Sequence, residues 1–170
     1  AVPEAGVRVQ SSAVIQNSGT ISGHDYGIVT TQLGTPNPDG GTSFAWFSVD
    51  TQVTNSGTIR GDNDDGVALY GGGTVLDSGR AQIGTIVNEP GGQISGARYG
   101  VILAGGGTID NAGAIEGGTT GVVLVSQNFA DKTGNLTNSG TIQSRDGSGV
   151  LIDLASATLV NSGRIDTGNL

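Results

Sequence analysis

The stretch Asn17-Ser18-Gly19-Thr20-Ile21 returns letter for letter as Asn55-Ser56-Gly57-Thr58-Ile59 and as Asn138-Ser139-Gly140-Thr141-Ile142. Looser copies start at Asn88, Asn111 and Asn161, and they reach Ile94, Ile115 and Ile165. Two residues before each asparagine stands an aliphatic side chain: Ile15, Val53, Ile86, Ile109, Leu136 or Leu159. A second signature, glycine followed by alternating aliphatics, comes after the corners as Gly66-Val67-Ala68-Leu69, Gly100-Val101-Ile102-Leu103, Gly121-Val122-Val123-Leu124 and Gly149-Val150-Leu151-Ile152. Gly27-Ile28-Val29-Thr30 is a weaker copy.

Each unit therefore holds three short β-type runs bounded by Gly, Asn, Asp or Ser, and no apolar period of 3.6 persists long enough for a helix. Successive asparagine anchors are 38, 33, 23, 27 and 23 residues apart. The basic coil is thus about 22–23 residues, and the longer intervals carry insertions. A unit of this size cannot bury its own apolar face. Stacked, each strand pairs in parallel with its equivalent about 4.8 Å away, and the aliphatics form interior ladders. The expected fold is all-β, a parallel β-helix solenoid with three short strands per coil, running as one segment over 1–170 with insertions near 31–51 and 77–88. Asp77-Ser78-Gly79, one repeat length after Asn55, is either a seventh, degenerate corner or part of an insertion.

On this reading Asn17, Asn55, Asn88, Asn111, Asn138 and Asn161 are a structural ladder. Each takes a turn position that tolerates left-handed geometry, and their amides hydrogen-bond from coil to coil. The corner glycine supplies positive φ, and the threonine opens the next strand.

Composition supports an ordered chain of this kind. There are 32 Gly and 13% charged residues, but the 35% hydrophobic residues recur at fixed offsets from the glycines, which disordered tracts do not do. The formal charge of -8 repels phosphate backbones and anionic lipid, which argues against a nucleic-acid partner. No apolar run approaches the ~20 residues that span a bilayer, so no membrane insertion by this segment is expected, and residues 1–6 lack signal-peptide features. Absence of cysteine removes disulfide and thiol chemistry.

The N-S-G-T-I corners, the G-V-x-L strands and the GGGT stretches at 71–74 and 105–108 resemble the passenger regions of Gram-negative autotransporter proteins and related large secreted adhesins. The resemblance covers nearly the whole chain. It implies a right-handed parallel β-helix, exported through a C-terminal outer-membrane barrel to the cell surface or medium, and serving adhesion, aggregation or host interaction. The implied partners are a host-cell surface protein or glycan, or self-association, with no cofactor. On this reading the chain, which shows neither signal peptide nor barrel, is an excised piece. The competing reading is a polysaccharide-processing or glycan-binding β-helix of lyase-like or phage-tail-like lineage.

Three sites stand out against the repeat. The insertion near 31–51 holds Phe44, Trp46 and Phe47. If 44–53 is one strand in phase with Val53, then Ala45, Phe47, Val49 and Thr51 face inward while Phe44 and Trp46 face out, where they could bind a glycan face or a protein. The blander and favoured reading is that the insertion folds over its own coil or caps an open end. Arg60-Gly61-Asp62 spells the integrin-recognised tripeptide, but Gly61 is also a repeat glycine aligned with Gly23, Gly96 and Gly117. Asp62-Asn63-Asp64-Asp65 could hold Ca2+ through oxygen ligands. The EF-hand spacing fails, however, a solvated acidic turn is favoured, and no metal is assigned. Lys132 is the only Lys and His24 the only His, too little basic chemistry for a lyase, and GGGT lacks the lysine and helix of a phosphate loop. No catalytic residue is assigned, and a noncatalytic scaffold is expected.

Overall fold

A computed structural model describes residues 4–30, 34–36, 42–44, 50–70, 84–126 and 133–168, with backbone only for 34–36 and 42–44. The chain winds through six coils. The first is β1 (Ala5–Val9), β2 (Ala13–Asn17) and β3 (Thr20–Gly23). The second begins with β4 (Tyr26–Thr30), leaves for a hairpin of β5 (Gly34–Pro36) and β6 (Thr42–Phe44), and resumes as β7 (Thr51–Asn55) and β8 (Thr58–Gly61). The third is β9 (Val67–Tyr70), β10 (Gly84–Asn88) and β11 (Gln93–Gly96), and the fourth β12 (Tyr99–Ala104), β13 (Gly107–Asn111) and β14 (Ala114–Gly117). The last two are β15 (Thr120–Val125), β16 (Thr133–Asn138) and β17 (Thr141–Ser144), then β18 (Ser148–Asp153), β19 (Ser156–Asn161) and β20 (Arg164–Thr167).

With the β5–β6 hairpin set aside, every third strand joins the same sheet. The first sheet runs β1-β4-β9-β12-β15-β18, the second β2-β7-β10-β13-β16-β19 and the third β3-β8-β11-β14-β17-β20, and neighbours pair in parallel throughout. This is a parallel β-helix. Because β10 pairs directly with β7, β11 with β8 and β12 with β9, no seventh coil lies between Asn55 and Asn88. Of the stretch read as inserted near 77–88, Gly84–Asn88 is an ordinary ladder strand, and 77–83 lies outside the described residues.

The interior is a stack of single-residue ladders. Ile59, Ile94, Ile115 and Ile142 pair in register in the third sheet and are 0–1% exposed, while Ile21 and Ile165 close the row at its half-buried ends. Val53, Ile86, Ile109 and Leu136 do the same in the second sheet. In the first sheet the glycine that opens each aliphatic run faces the corner isoleucine of its own coil. A Cβ at Gly27, Gly100 or Gly121 would stand 2.6–2.7 Å from a methyl of Ile59, Ile115 or Ile142. The two sequence signatures are thus two halves of one contact. Gly6-Val7-Arg8-Val9, in β1, is a copy of this signature that the sequence reading passed over.

The asparagines form the expected ladder. The Asn17 amide donates to Asn55 Oδ1 (2.8 Å), and Asn55 to Asn88 (2.9 Å), Asn88 to Asn111 (2.8 Å), Asn111 to Asn138 (2.7 Å) and Asn138 to Asn161 (2.7 Å) follow in the same direction. Each also donates to a carbonyl in its own corner and to one in the next coil, as Asn55 does to Gly57 and Gln93. Their conformation differs from expectation: each asparagine is the last residue of an extended strand, and all but the terminal Asn161 are buried. Of the described corner glycines only Gly91, in the longer corner after Asn88, has the expected positive φ; the other described glycines with positive φ are Gly105, Gly106 and Gly107, outside the corners. The reason for glycine at the corner is close stacking. A Cβ at Gly57, Gly140 or Gly163 would stand 2.1 Å from the carbonyl oxygen of Gly19, Gly113 or Gly140 in the coil before, so a side chain there would push the coils apart.

The single strand expected over 44–53 is absent as such. Phe44 ends β6, which is antiparallel to β5, Asp50 belongs to no strand, and β7 begins at Thr51. The pairing with β2 starts at Ala13 and Thr51, with the Ala13 N–H donating to the Asp50 carbonyl at 3.1 Å, and 45–49 lie outside the described residues. Thr51 faces inward as expected, at 1% exposure.

Candidate functional site

With the inward positions taken by the ladders, function must reside on the outer positions of the three sheets and on the connections. The outer faces differ. On the first sheet Val29, Ala68, Ile102, Ala104 and Val123 form a second buried apolar cluster, with Tyr26, Tyr70 and Tyr99 packed at its margin. On the second sheet the outward rows are neutral, as in Gln52, Thr85, Thr108 and Asn135, with Asp110 as a charged exception. On the third sheet Arg60, Ser95, Glu116, Gln143 and Asp166 follow one another in register.

The turns from the third sheet into the first carry most of the ionic chemistry. Asp65 is fully buried. Arg98 binds it with two parallel hydrogen bonds, Nε to Oδ1 at 3.1 Å and Nη2 to Oδ2 at 2.9 Å, and the Tyr99 backbone N–H and the Tyr70 hydroxyl also donate to it at 3.2 Å. Arg98 Nε also lies 2.7 Å from Asp64, and its guanidinium sits 4.6 Å from the centre of the Tyr99 ring. Burial pushes the Asp65 carboxyl above the usual range, outweighing the opposing pull of Arg98, while hydrogen bonding to Asp65 raises Arg98. Burial also pushes Tyr70 up to about 12, helped by the charge of Asp65, and raises Tyr26, helped by its bond to Asp64. The acidic turn expected to be solvated is therefore half internal. Asp65 is a buried anchor that ties the third coil to the fourth through a charge-assisted pair. Sequence reasoning missed Arg98 and the tyrosines. The available signal was the slot before the repeat glycine, which reads Tyr26-Gly27, Asp65-Gly66 and Tyr99-Gly100.

Arg60-Gly61-Asp62 lies at the end of β8. Gly61 pairs with Gly23 and Gly96, and a Cβ there would stand 2.2 Å from the Asp65 carbonyl oxygen, so its identity is explained by the turn. Arg60 closes on Asp62 in an exposed ion pair. His24 stacks beneath Asn63, whose amide lies 2.9 Å from His24 Nε2. Trp46 and Lys132 lie outside the described residues, as does the side chain of Phe44. Among the described residues no group of three His, Cys, Asp or Glu side chains is placed to hold a metal, and no helix is long and apolar enough to cross a membrane.

A family model described as BigA fourth domain matches residues 2–169. The chain belongs to this family. It is accordingly a β-helix domain of a large bacterial protein of adhesin-like kind. No curated protein and no solved structure matches the chain. Among BigA fourth domains, then, the architecture of this member is read from its own ladders.

Proposed function

We propose that this domain is a noncatalytic scaffold that displays loops for adhesion or aggregation at the bacterial surface, in the manner of an autotransporter passenger. One observation carries the reading. The three longest connections, 31–50, 71–83 and 126–132, leave from the ends of β4, β9 and β15 and return to β7, β10 and β16, so all three emerge along the same edge, between the first and second sheets. The strands before and after each keep their register. A solenoid tolerates such interruptions because each coil contacts only its neighbours, so loops can vary while the stack stays paired. Among the described residues, the outward rows of the sheets hold no constellation of base, nucleophile and oxyanion donors that would favour catalysis. Export through the outer membrane and a host-cell protein or glycan as partner belong to the same reading.

The test uses the aromatic residues of the first connection. Replacing Phe44 and Trp46 together by Ser is expected to leave the melting temperature unchanged and to weaken attachment of protein-coated beads to cells. Substantially earlier unfolding would make the pair packing residues. Unchanged folding with unchanged attachment would remove this connection from the adhesive surface.

A further inference from the structure

On the outer side of the third sheet the third coil is stripped down to Ser95, Gly96 and Ala97, where its neighbours carry long charged side chains. Ser95 stands in register between Arg60 of the coil before and Glu116 of the coil after. The result is a groove of about 290 Å3 lined by Arg60, Asp62, Ser95, Ala97, Glu116 and Arg145. One rim is the Arg60–Asp62 pair. The other is Arg145, whose Nε donates to Glu116 Oε1 at 2.8 Å across two coils. The backbones bearing Arg60 and Glu116 are two rungs apart, about 10 Å.

Each rim sets guanidinium donors beside carboxylate acceptors, and each is neutral as a pair. The floor offers a hydroxyl, a methyl group and backbone. A hydroxyl group donates one hydrogen bond and accepts others, so adjacent ring hydroxyls can give to a carboxylate and receive from a guanidinium at the same rim. We propose that this groove binds one neutral pyranose unit of a glycan. A polyanion is disfavoured by the formal charge of -8, and an apolar ligand finds too little apolar wall. No aromatic ring lines the groove to stack on the sugar, so a single unit binds with Kd on the order of 1 mM, and useful attachment comes from many copies engaging one polymer. The inference rests on the noncatalytic, contact-making reading above but places this contact on a different edge of the solenoid from the three connections.

The experiment is an amide NMR titration of the full chain with the methyl glycosides of glucose, galactose and mannose. At least one is expected to shift the amides of Ser95, Gly96 and Ala97 saturably. Ala97→Trp, which fills the groove from an exposed position, is expected to abolish the shift at an unchanged melting temperature, and Arg145→Gln to weaken it about tenfold. Absence of a saturable shift with all three sugars overturns the proposal, as does a shift that survives Ala97→Trp. Tighter binding of glucuronate than of the neutral sugars would make the groove an anion site instead. The Phe44→Ser, Trp46→Ser variant is expected to keep the shift, so failure of the loop reading and failure of the groove remain distinguishable.

Discussion

Along β7, Val53 faces in and Gln52 faces out, and the rows they begin behave differently down the stack. The inward row reads Ile15, Val53, Ile86, Ile109, Leu136 and Leu159, one chemistry throughout. The outward row reads Val14, Gln52, Thr85, Thr108, Asn135 and Thr158, with size and polarity changing at every step but the one from Thr85 to Thr108. Inside the stack, a residue is constrained by aliphatic neighbours one rung away on either side, and a change of volume leaves a void or a clash. Outside, only β-compatibility is required, so the outer rows are where the three sheets become buried and apolar, neutral, or charged. Repetition reports the inside, and its interruption reports where this domain can meet something else.

The largest expected effect breaks the inward row at its centre. Ile115 is fully buried between Ile94 and Ile142. Ile115→Asp puts an unpaired carboxylate into the ladder and is expected to cost about 4 kcal/mol or more, enough to unfold a marginally stable domain. The same change at half-buried Ile165, in the last coil, is expected to cost less than half as much. Urea unfolding curves of the two variants decide it. Equal midpoints would mean that the central rung is not special, and a parental midpoint for Ile115→Asp would place this residue outside.

The next effect tests the amide ladder. Asn111 accepts from Asn88 at 2.8 Å and donates to Asn138 at 2.7 Å. Asn111→Ala removes one of the three acceptors of the buried Asn88 amide and the amide that donates to the buried Asn138 Oδ1, and the expected loss is about 2–4 kcal/mol. Asn161 ends the row, is exposed, and keeps a corner bond to Gly163 at 3.2 Å. Asn161→Ala is expected to cost about 1 kcal/mol or less by the same physics. Melting temperatures of both variants check the ratio, and comparable losses would show that the asparagines act one by one in their own corners.

How much was legible follows from the same contrast. The coil, the isoleucine ladder and the asparagine ladder could be read because each residue repeats at a fixed offset from the next. The Asp65–Arg98 pair could not, since its partners lie 33 residues apart and each occurs at a single level of the stack. Nor could the start of β7, which pairs with β2 of the coil before from Thr51 on, while Phe44 of the aromatic run that precedes it in sequence belongs to β6. The glycine corners were found for an incomplete reason. A positive φ is a local property, whereas the carbonyl that excludes a side chain at Gly57 belongs to Gly19 in another coil. Of the candidate sites, the sequence marked Arg60 and Asp62, but the groove they border required Glu116 and Arg145 to be brought beside them.

The smallest expected effect falls in one tripeptide that contains both sides of the comparison. Arg60 is exposed and among the described residues pairs with Asp62 two residues on, a contact of the kind that contributes about 0–1 kcal/mol at a surface. Arg60→Gln is therefore expected to change stability by no more than about 0.5 kcal/mol. Gly61, its neighbour, has no such freedom: a Cβ there would stand 2.2 Å from the Asp65 carbonyl oxygen and 2.5 Å from that of Asp25, and both are backbone atoms in separate coils. Gly61→Ala must open the turn that positions buried Asp65 and is expected to cost about 2–3 kcal/mol, in the range of overpacked sites. The two melting curves, taken side by side, test whether the glycine of Arg60-Gly61-Asp62 belongs to the stack while its flanking charges belong to the surface. A stable Gly61→Ala variant would return the whole tripeptide to the surface and leave recognition as the better explanation of its sequence.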